Sequence, residues 1–208
     1  MSVLGHSALV ALLGHTDPAK RLIVTPLLNH ALQVSEASVD IRLGNDFIVT
    51  RRGNLPSLDP ASGDVRSHRY QTKHFVNFKE CFYLHPHELV LAGTLEWFRL
   101  PVEVAASVTS RSQWGRAGLV IATATAVHPG FCGTITLELL NLGEVPLVLY
   151  PGTSVAQVVF YDCVGAVPYQ GEMAGRVGAH FASLAHDRKM TDRDYWLPDR
   201  GGKAKATS

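Results

Sequence analysis

Along the chain the spacing of apolar positions changes character. Residues 7–13 are apolar and helix-permitting, and Gly14 stands where such a helix would stop, which predicts a short N-terminal helix. From Ala37 the period falls to two: Ser38-Val39-Asp40-Ile41-Arg42-Leu43 alternates polar and apolar, and Gly44-Asn45-Asp46 reads as a turn. Residues 51–73, rich in Gly, Pro, Ser, Asp and Arg, read as a loop leaving a β scaffold, because strand signals resume on both sides. Strands are expected at residues 88–92, 94–99, 120–125, 134–140, 147–150 and 155–161, with Gly or Pro between most of them. Short strands at this spacing predict a mainly β fold, a sandwich, jelly roll or distorted barrel. No alternating helical pattern supports a parallel α/β sheet.

Size and composition narrow the reading. The 208 residues, 46% of them hydrophobic, are enough to bury a real core and fit one domain, taken here as residues 1–200 with 165–200 as a C-terminal extension. Residues 201–208 are small and polar and are expected to be a disordered tail. Lys and Arg total 19 against 18 Asp and Glu, so no large field draws a nucleic-acid backbone or an anionic membrane, and any phosphate must be gripped locally. No run approaches the ~18 apolar residues of a membrane span, and no leader pattern opens the chain. The 3 cysteines, Cys81, Cys132 and Cys163, are odd in number and far apart, which points to a reducing, cytoplasmic setting.

Candidate chemistry is sparse. Strand alternation places Thr134, Thr136 and Glu138 on one face and Ile135, Leu137 and Leu139 on the other, so Glu138 is a carboxylate in an apolar neighbourhood. Taken alone it is either a solvent-facing strand residue or a general base tuned by partial burial. Ser110-Arg111-Ser112-Gln113-Trp114-Gly115-Arg116 can form one helical turn with Ser112 near its N-cap, and Ser112 and Arg116 then share a face. Backbone N–H groups and guanidinium charge converge there, which suits an anionic group as well as a plain capped surface turn. His85-Pro86-His87 has no spaced partner of the kind zinc uses and reads as a loop. The H-x-E and P-C-x-x-C elements of zinc-dependent nucleobase deaminases are absent, as are phosphate-loop and dinucleotide fingerprints.

Several ordered motifs together carry a resemblance. They are Ala37-Ser38-Val39-Asp40-Ile41-Arg42-Leu43-Gly44-Asn45, Phe82-Tyr83-Leu84-His85-Pro86, Ser110-Arg111-Ser112 continuing to Arg116-Ala117-Gly118-Leu119, His128-Pro129-Gly130-Phe131-Cys132-Gly133 leading into Leu137-Glu138-Leu139, then Asn141 and Pro146-Leu147-Val148-Leu149-Tyr150-Pro151-Gly152. Over residues 35–160 the chain resembles the zinc-independent dCTP deaminases, sisters of the trimeric dUTPases. The resemblance implies a distorted β-barrel or jelly roll of the dUTPase type, with a few helical turns and a homotrimer whose active sites lie between subunits. It implies catalytic roles for Glu138, Arg116 and Ser112. Arg111, Thr123, Ala124, Tyr169 and Arg176 are implied to bind a deoxyribonucleoside triphosphate that brings magnesium on its phosphates. Deamination of dCTP to dUTP is the activity implied. Conversion of dUTP to dUMP, alone or in sequence, and a non-catalytic nucleotide-binding or structural trimer are the alternatives.

The chain also departs from that pattern. His128 stands where dUTPases carry the water-activating Asp, and the strand between Leu119 and Thr123 is one residue shorter. In the C-terminal lid, Glu172, Met173 and Ala174 replace the usual Lys, Tyr and Gln. A Glu beside a triphosphate repels it, so the lid is expected to be remodelled around Arg176 or fitted to another ligand.

Overall fold

The computed structural model describes residues 2–51, 58, 70–122, 126–171 and 175–181. The chain divides into two compact units, Met1–Val49 with Lys73–His180, and Thr50–Thr72 with Phe181–Ser208. In the second, the described residues include Arg51, whose N–H donates to the Tyr70 carbonyl at 2.7 Å, and Gln71, whose Nε2 donates to Thr50 Oγ1 at 3.2 Å. The first carries the sheet and the candidate site.

Helix α1 spans His6–Leu13 and ends at Gly14, as the apolar run predicts. Strand β1 (Ile23–Thr25) and the short helix α2 (His30–Gln33) lead into β2 (Ser38–Thr50). The order then runs β3 (Gln71–Phe75), β4 (Phe82–Leu84), β5 (Leu89–Arg99), β6 (Val104–Ser110), α3 (Ser112–Arg116), β7 (Leu119–Ile121), β8 (Ala126–Val127), β9 (Cys132–Asn141), β10 (Leu147–Leu149) and β11 (Ser154–Asp162). The main sheet has the order β7-β9-β5-β2-β11-β6-β8, with β1 beside β5 and β3 beside β2, while β10 and β4 form a separate pair. The fold is mainly β, and the sheet curls into a half barrel.

The core is built on fully buried Ile41, Leu43, Phe47, Phe98, Leu119, Leu137, Leu139 and Phe160. Phe47 stacks on Phe82 with ring centroids 4.6 Å apart, which ties β4 to β2. Each such side chain contributes about 1.5–3 kcal/mol on leaving water. Among the buried polar residues, Asn141 has its Nδ2 donating to the Leu84 and Val145 carbonyls at 3.0 and 2.9 Å and its Oδ1 accepting from Gly143 N–H at 2.9 Å. With its polar atoms satisfied inside, it pins the end of β9 to β4 and to the loop before β10.

Several strand assignments change: the end of the expected 51–73 loop belongs to β3, the expected strand at 120–125 is β7 at Leu119–Ile121 with 123–125 outside the described residues, and β1, β4 and β8 match no expected strand. Gly44-Asn45-Asp46 lies inside β2 instead of ending it, in a register shift between Leu43 and Phe47. Residues 88–92 and 94–99 form one strand, β5, with a matching shift between Gly93 and Trp97. Here glycine marks close backbone approach: a Cβ on Gly44 would stand 3.0 Å from the Gly93 carbonyl oxygen, and one on Gly93 would stand 2.7 Å from Ala179 N. Thr94 holds the irregularity, its Oγ1 donating to the Glu96 carbonyl at 2.8 Å and accepting from Ile135 N–H at 2.9 Å. Beyond it the Glu96 side chain is fully buried, with Oε1 2.6 Å from Arg42 Nε and Oε2 2.8 Å from Arg42 N.

Candidate active site

Helix α3 is the turn between β6 and β7. Its N-cap is Arg111, not Ser112: Arg111 has extended backbone and makes no side-chain cap, and Ser112 is the first helical residue. The reason is the ladder, since the Arg111 N–H still donates to the Val155 carbonyl at 3.0 Å, as a strand residue would. Trp114 anchors the turn, donating from Nε1 to the Ser154 carbonyl at 2.9 Å and packing against the core. Ser112 and Arg116, one helical turn apart, are thereby left exposed.

Arg111 turns the other way. Its Nη1 lies 2.7 Å from Asp40 Oδ2 on β2 and donates to Ser154 Oγ at 3.0 Å on β11. Burial pushes the Asp40 carboxyl up from its ordinary value, and the Arg111 guanidinium pulls it back down. The arginine expected to meet phosphate is therefore also a tie between strands. Composition carries no signal for this pairing. Only the placement of Asp40 on the polar face of β2 hints at it.

Glu138 lies half-buried in the middle of β9, opposite Leu91 of β5. Its face is shared with Thr134 and Thr136, as alternation predicts, while Ile135, Leu137 and Leu139 are buried on the other. On its far side β9 pairs with β7, Ile121 opposite Leu139, and the Glu138 carbonyl accepts from Ala122 N–H at 2.9 Å. The strand that follows Ser112 and Arg116 of α3 is therefore the one that pairs with β9 beside Glu138. Thr123 and Ala124 follow immediately and lie outside the described residues, as do Glu172, Met173, Ala174 and the 201–208 tail.

The C-terminal segment returns to this face. Tyr169 stacks on His128, with centroids 5.3 Å apart and planes 11° from parallel, and its N–H donates to the Pro129 carbonyl at 2.9 Å. Further on, Gly175 N–H donates to the Cys132 carbonyl at 2.6 Å, and the Arg176 carbonyl accepts from Thr134 N–H at 3.0 Å, forming a parallel bridge of Arg176 with Gly133. The Thr134 hydroxyl donates to the Gly178 carbonyl at 3.2 Å, and Thr136 Oγ1 accepts from His180 N–H at 3.3 Å. Sequence spacing alone does not mark Thr134 and Thr136 as site residues. The available signal is that both lie on the face of Glu138.

Among the described residues no group of three His, Cys, Asp or Glu side chains is placed to hold a metal ion, and no helix is long and apolar enough to cross a membrane. His85 and His87 are exposed in the turn between β4 and β5. The three cysteines are half-buried free thiols. An apolar hollow of about 460 Å³ beside α1 and β1, lined by Val10, Leu13, Leu22 and Leu27, contains none of the candidate residues.

The chain is similar to several known proteins. A dCTP deaminase from Halorubrum lacusprofundi is 44% identical over 142 residues, covering 68% of this chain and 70% of that one. A dUMP-forming dCTP deaminase from Dictyoglomus turgidum is 38% identical over 145 residues, covering 68% and 73%. The crystal structure of 2'-deoxycytidine 5'-triphosphate deaminase from Agrobacterium tumefaciens shares the fold, with a TM-score of 0.57 at 22% identity over 76% of this chain and 46% of that chain, so the match spans less than half of that protein. The family model described as dCTP deaminase-like matches residues 13–163. The chain belongs to the dCTP deaminase-like family.

Proposed function

We propose that this protein deaminates dCTP to dUTP and ammonia, with Glu138 as general base. The observation that carries the reading is the pairing of β7, the strand that follows exposed Ser112 and Arg116 of α3, with β9, the strand of half-buried Glu138, in a chain 38% and 44% identical to named dCTP deaminases. Water adds to the amine-bearing ring carbon of cytosine, and Glu138 takes the water proton and passes it to the base. The carbon–nitrogen bond then breaks, the amino group leaves as ammonia and the water oxygen stays as the new carbonyl. Positioned proton transfer contributes roughly 10²- to 10⁴-fold. Ser112 and Arg116 stabilise charge on the ring as it develops, and Thr123 and Ala124 hold base and water.

In this reading Arg111, Tyr169 and Arg176 hold the nucleotide, and magnesium arrives as part of the substrate on its phosphate oxygens, where it keeps most of its water. Subunits assemble as a homotrimer with each site shared between two of them, in the cytoplasm. A second reading, in which the uridine nucleotide is carried on to dUMP, is favoured by relatives named as dUMP-forming.

The test is incubation with magnesium and either dCTP or dUTP, with products resolved by chromatography beside Glu138→Gln. Formation of dUTP from dCTP, lowered at least ~100-fold in the variant, supports deamination. Direct appearance of dUMP supports the second reading. No turnover of either nucleotide by the folded protein leaves a nucleotide-binding or structural member of the family.

A further inference from the structure

The C-terminal segment is held at two places, on β9 and on the turn before it. One is the run of hydrogen bonds from residues 175–180 to Cys132, Thr134 and Thr136, on the face of Glu138. The other precedes it and is aromatic. The turn between β8 and β9 is closed by Phe131 N–H donating to the His128 carbonyl at 3.0 Å. Gly130, at φ +72°, lets Pro168 come close, since a Cβ there would stand 3.3 Å from Pro168 Cα. Tyr169 then stacks on the His128 ring and lies tilted by 48° to Phe131, whose centroid is 6.1 Å away. Phe131 is buried and belongs to the core. His128 is exposed, and what its ring covers is Tyr169.

We propose that His128 is a positioning residue: by stacking on Tyr169 it fixes where the C-terminal segment departs, and so how firmly that segment lands on the Glu138 face of β9. The contact engages the face of the imidazole, not its nitrogens, so a planar ring at 128 is what the role requires. Proton transfer by His128 is no part of it. An offset aromatic pair shifts a local equilibrium by about 2- to 12-fold. A nucleotide held beneath the segment binds more weakly by a similar factor when the stack is lost, while the chemical step at Glu138 keeps its rate. This last consequence rests on the deaminase reading; the stacking role does not.

The experiment compares the full-length protein with His128→Ala, His128→Gln, His128→Phe and Tyr169→Ala, by amide hydrogen exchange over residues 175–181 and by steady-state kinetics with magnesium and dCTP. Expected for the two variants without a ring at 128 is exchange faster by about 2- to 12-fold and KM for dCTP raised by a similar factor, with kcat changed less than about two-fold. His128→Phe is expected to restore wild-type values, and His128→Ala is expected to add nothing further in a Tyr169→Ala background. Unchanged exchange in both variants without a ring at 128 overturns the proposal. So does a His128→Phe protein as impaired as His128→Ala, or a fall in kcat at constant KM. Absence of turnover in the wild type defeats the deaminase reading alone, and the exchange comparison still decides the role of His128.

Discussion

Arg111 Nη1 lies 2.7 Å from Asp40 Oδ2, joining the cap of α3 to a strand whose partner in sequence is far away. The pair is only partly shielded, with side-chain exposures of 34% and 17%, so its contribution to stability is at most about 1 kcal/mol. What it supplies is direction, since β2 and β11 together aim the guanidinium. Asp40→Asn is therefore expected to shift the unfolding midpoint little and to raise KM for dCTP about two- to five-fold, with kcat held. Urea unfolding and steady-state kinetics on one preparation check both parts. A loss of several kcal/mol with unaltered KM would make Asp40 purely structural.

Glu96 and Arg42 behave differently because they are buried. Removing the carboxylate by Glu96→Ala leaves a guanidinium that is 12% exposed without its partner and is expected to cost about 3–5 kcal/mol. The pH dependence also has a definite sign. Burial pushes the Glu96 carboxyl above its ordinary 4.5, more than the bonds from Arg42 pull it down. The folded state then binds the proton more tightly than the unfolded chain, and this group's contribution falls as pH rises from 4.5 to the raised value. Denaturant titrations of wild type against Glu96→Gln should show the difference in stability shrinking over that window.

The C-terminal segment carries the opposite dependence. Burial lowers the pKa of His180 below 6.5, with Arg176 and Lys73 adding to the effect and Asp46 opposing it, and His180 Nε2 is buried without a hydrogen-bond partner. The released segment binds a proton more readily than the docked one. The contribution of His180 to docking is thus fully present above pH 6.5 and is lost as pH falls from there toward the lowered value. Amide exchange at Thr134 and His180, corrected for intrinsic rate, is expected to accelerate as pH falls below 6.5, and His180→Phe is expected to flatten that profile.

Gly93→Ala tests the same docking from beneath. The new methyl would stand 2.7 and 2.8 Å from backbone atoms of Ala179 and Gly178, with no flexible side chain to give way. Overpacking of this kind costs about 1–3 kcal/mol. Displacing the segment relieves it, so limited proteolysis within residues 175–181 should speed up before global unfolding does. Equal cleavage rates in variant and wild type would mean that the sheet absorbs the strain.

Much of the scaffold was legible from local pattern. Alternation over Thr134-Ile135-Thr136-Leu137-Glu138-Leu139 places Glu138 opposite the core face because side-chain direction in a strand repeats every two residues, whatever the strand pairs with. The helical turn at Ser112 and Arg116 and the helix ending at Gly14 follow from equally local rules. Composition bounded the field around the site without locating a ligand.

Tertiary structure decided what depends on partners distant in sequence. Gly44 and Gly93 read as breaks, yet both lie within strands, because each glycine serves close backbone approach and that cannot be told from a turn by sequence spacing alone. Register set Glu96 against Arg42 and Asp40 against Arg111, turning charged residues of an alternating strand into internal ties. The landing of residues 175–180 on Thr134 and Thr136, and the stack of Tyr169 on His128, likewise depend on where two separate stretches of chain come to lie. Periodicity is a property of one strand's backbone, so the sequence by itself determined which faces exist; what each face meets is a property of the sheet, and only the folded chain supplied it.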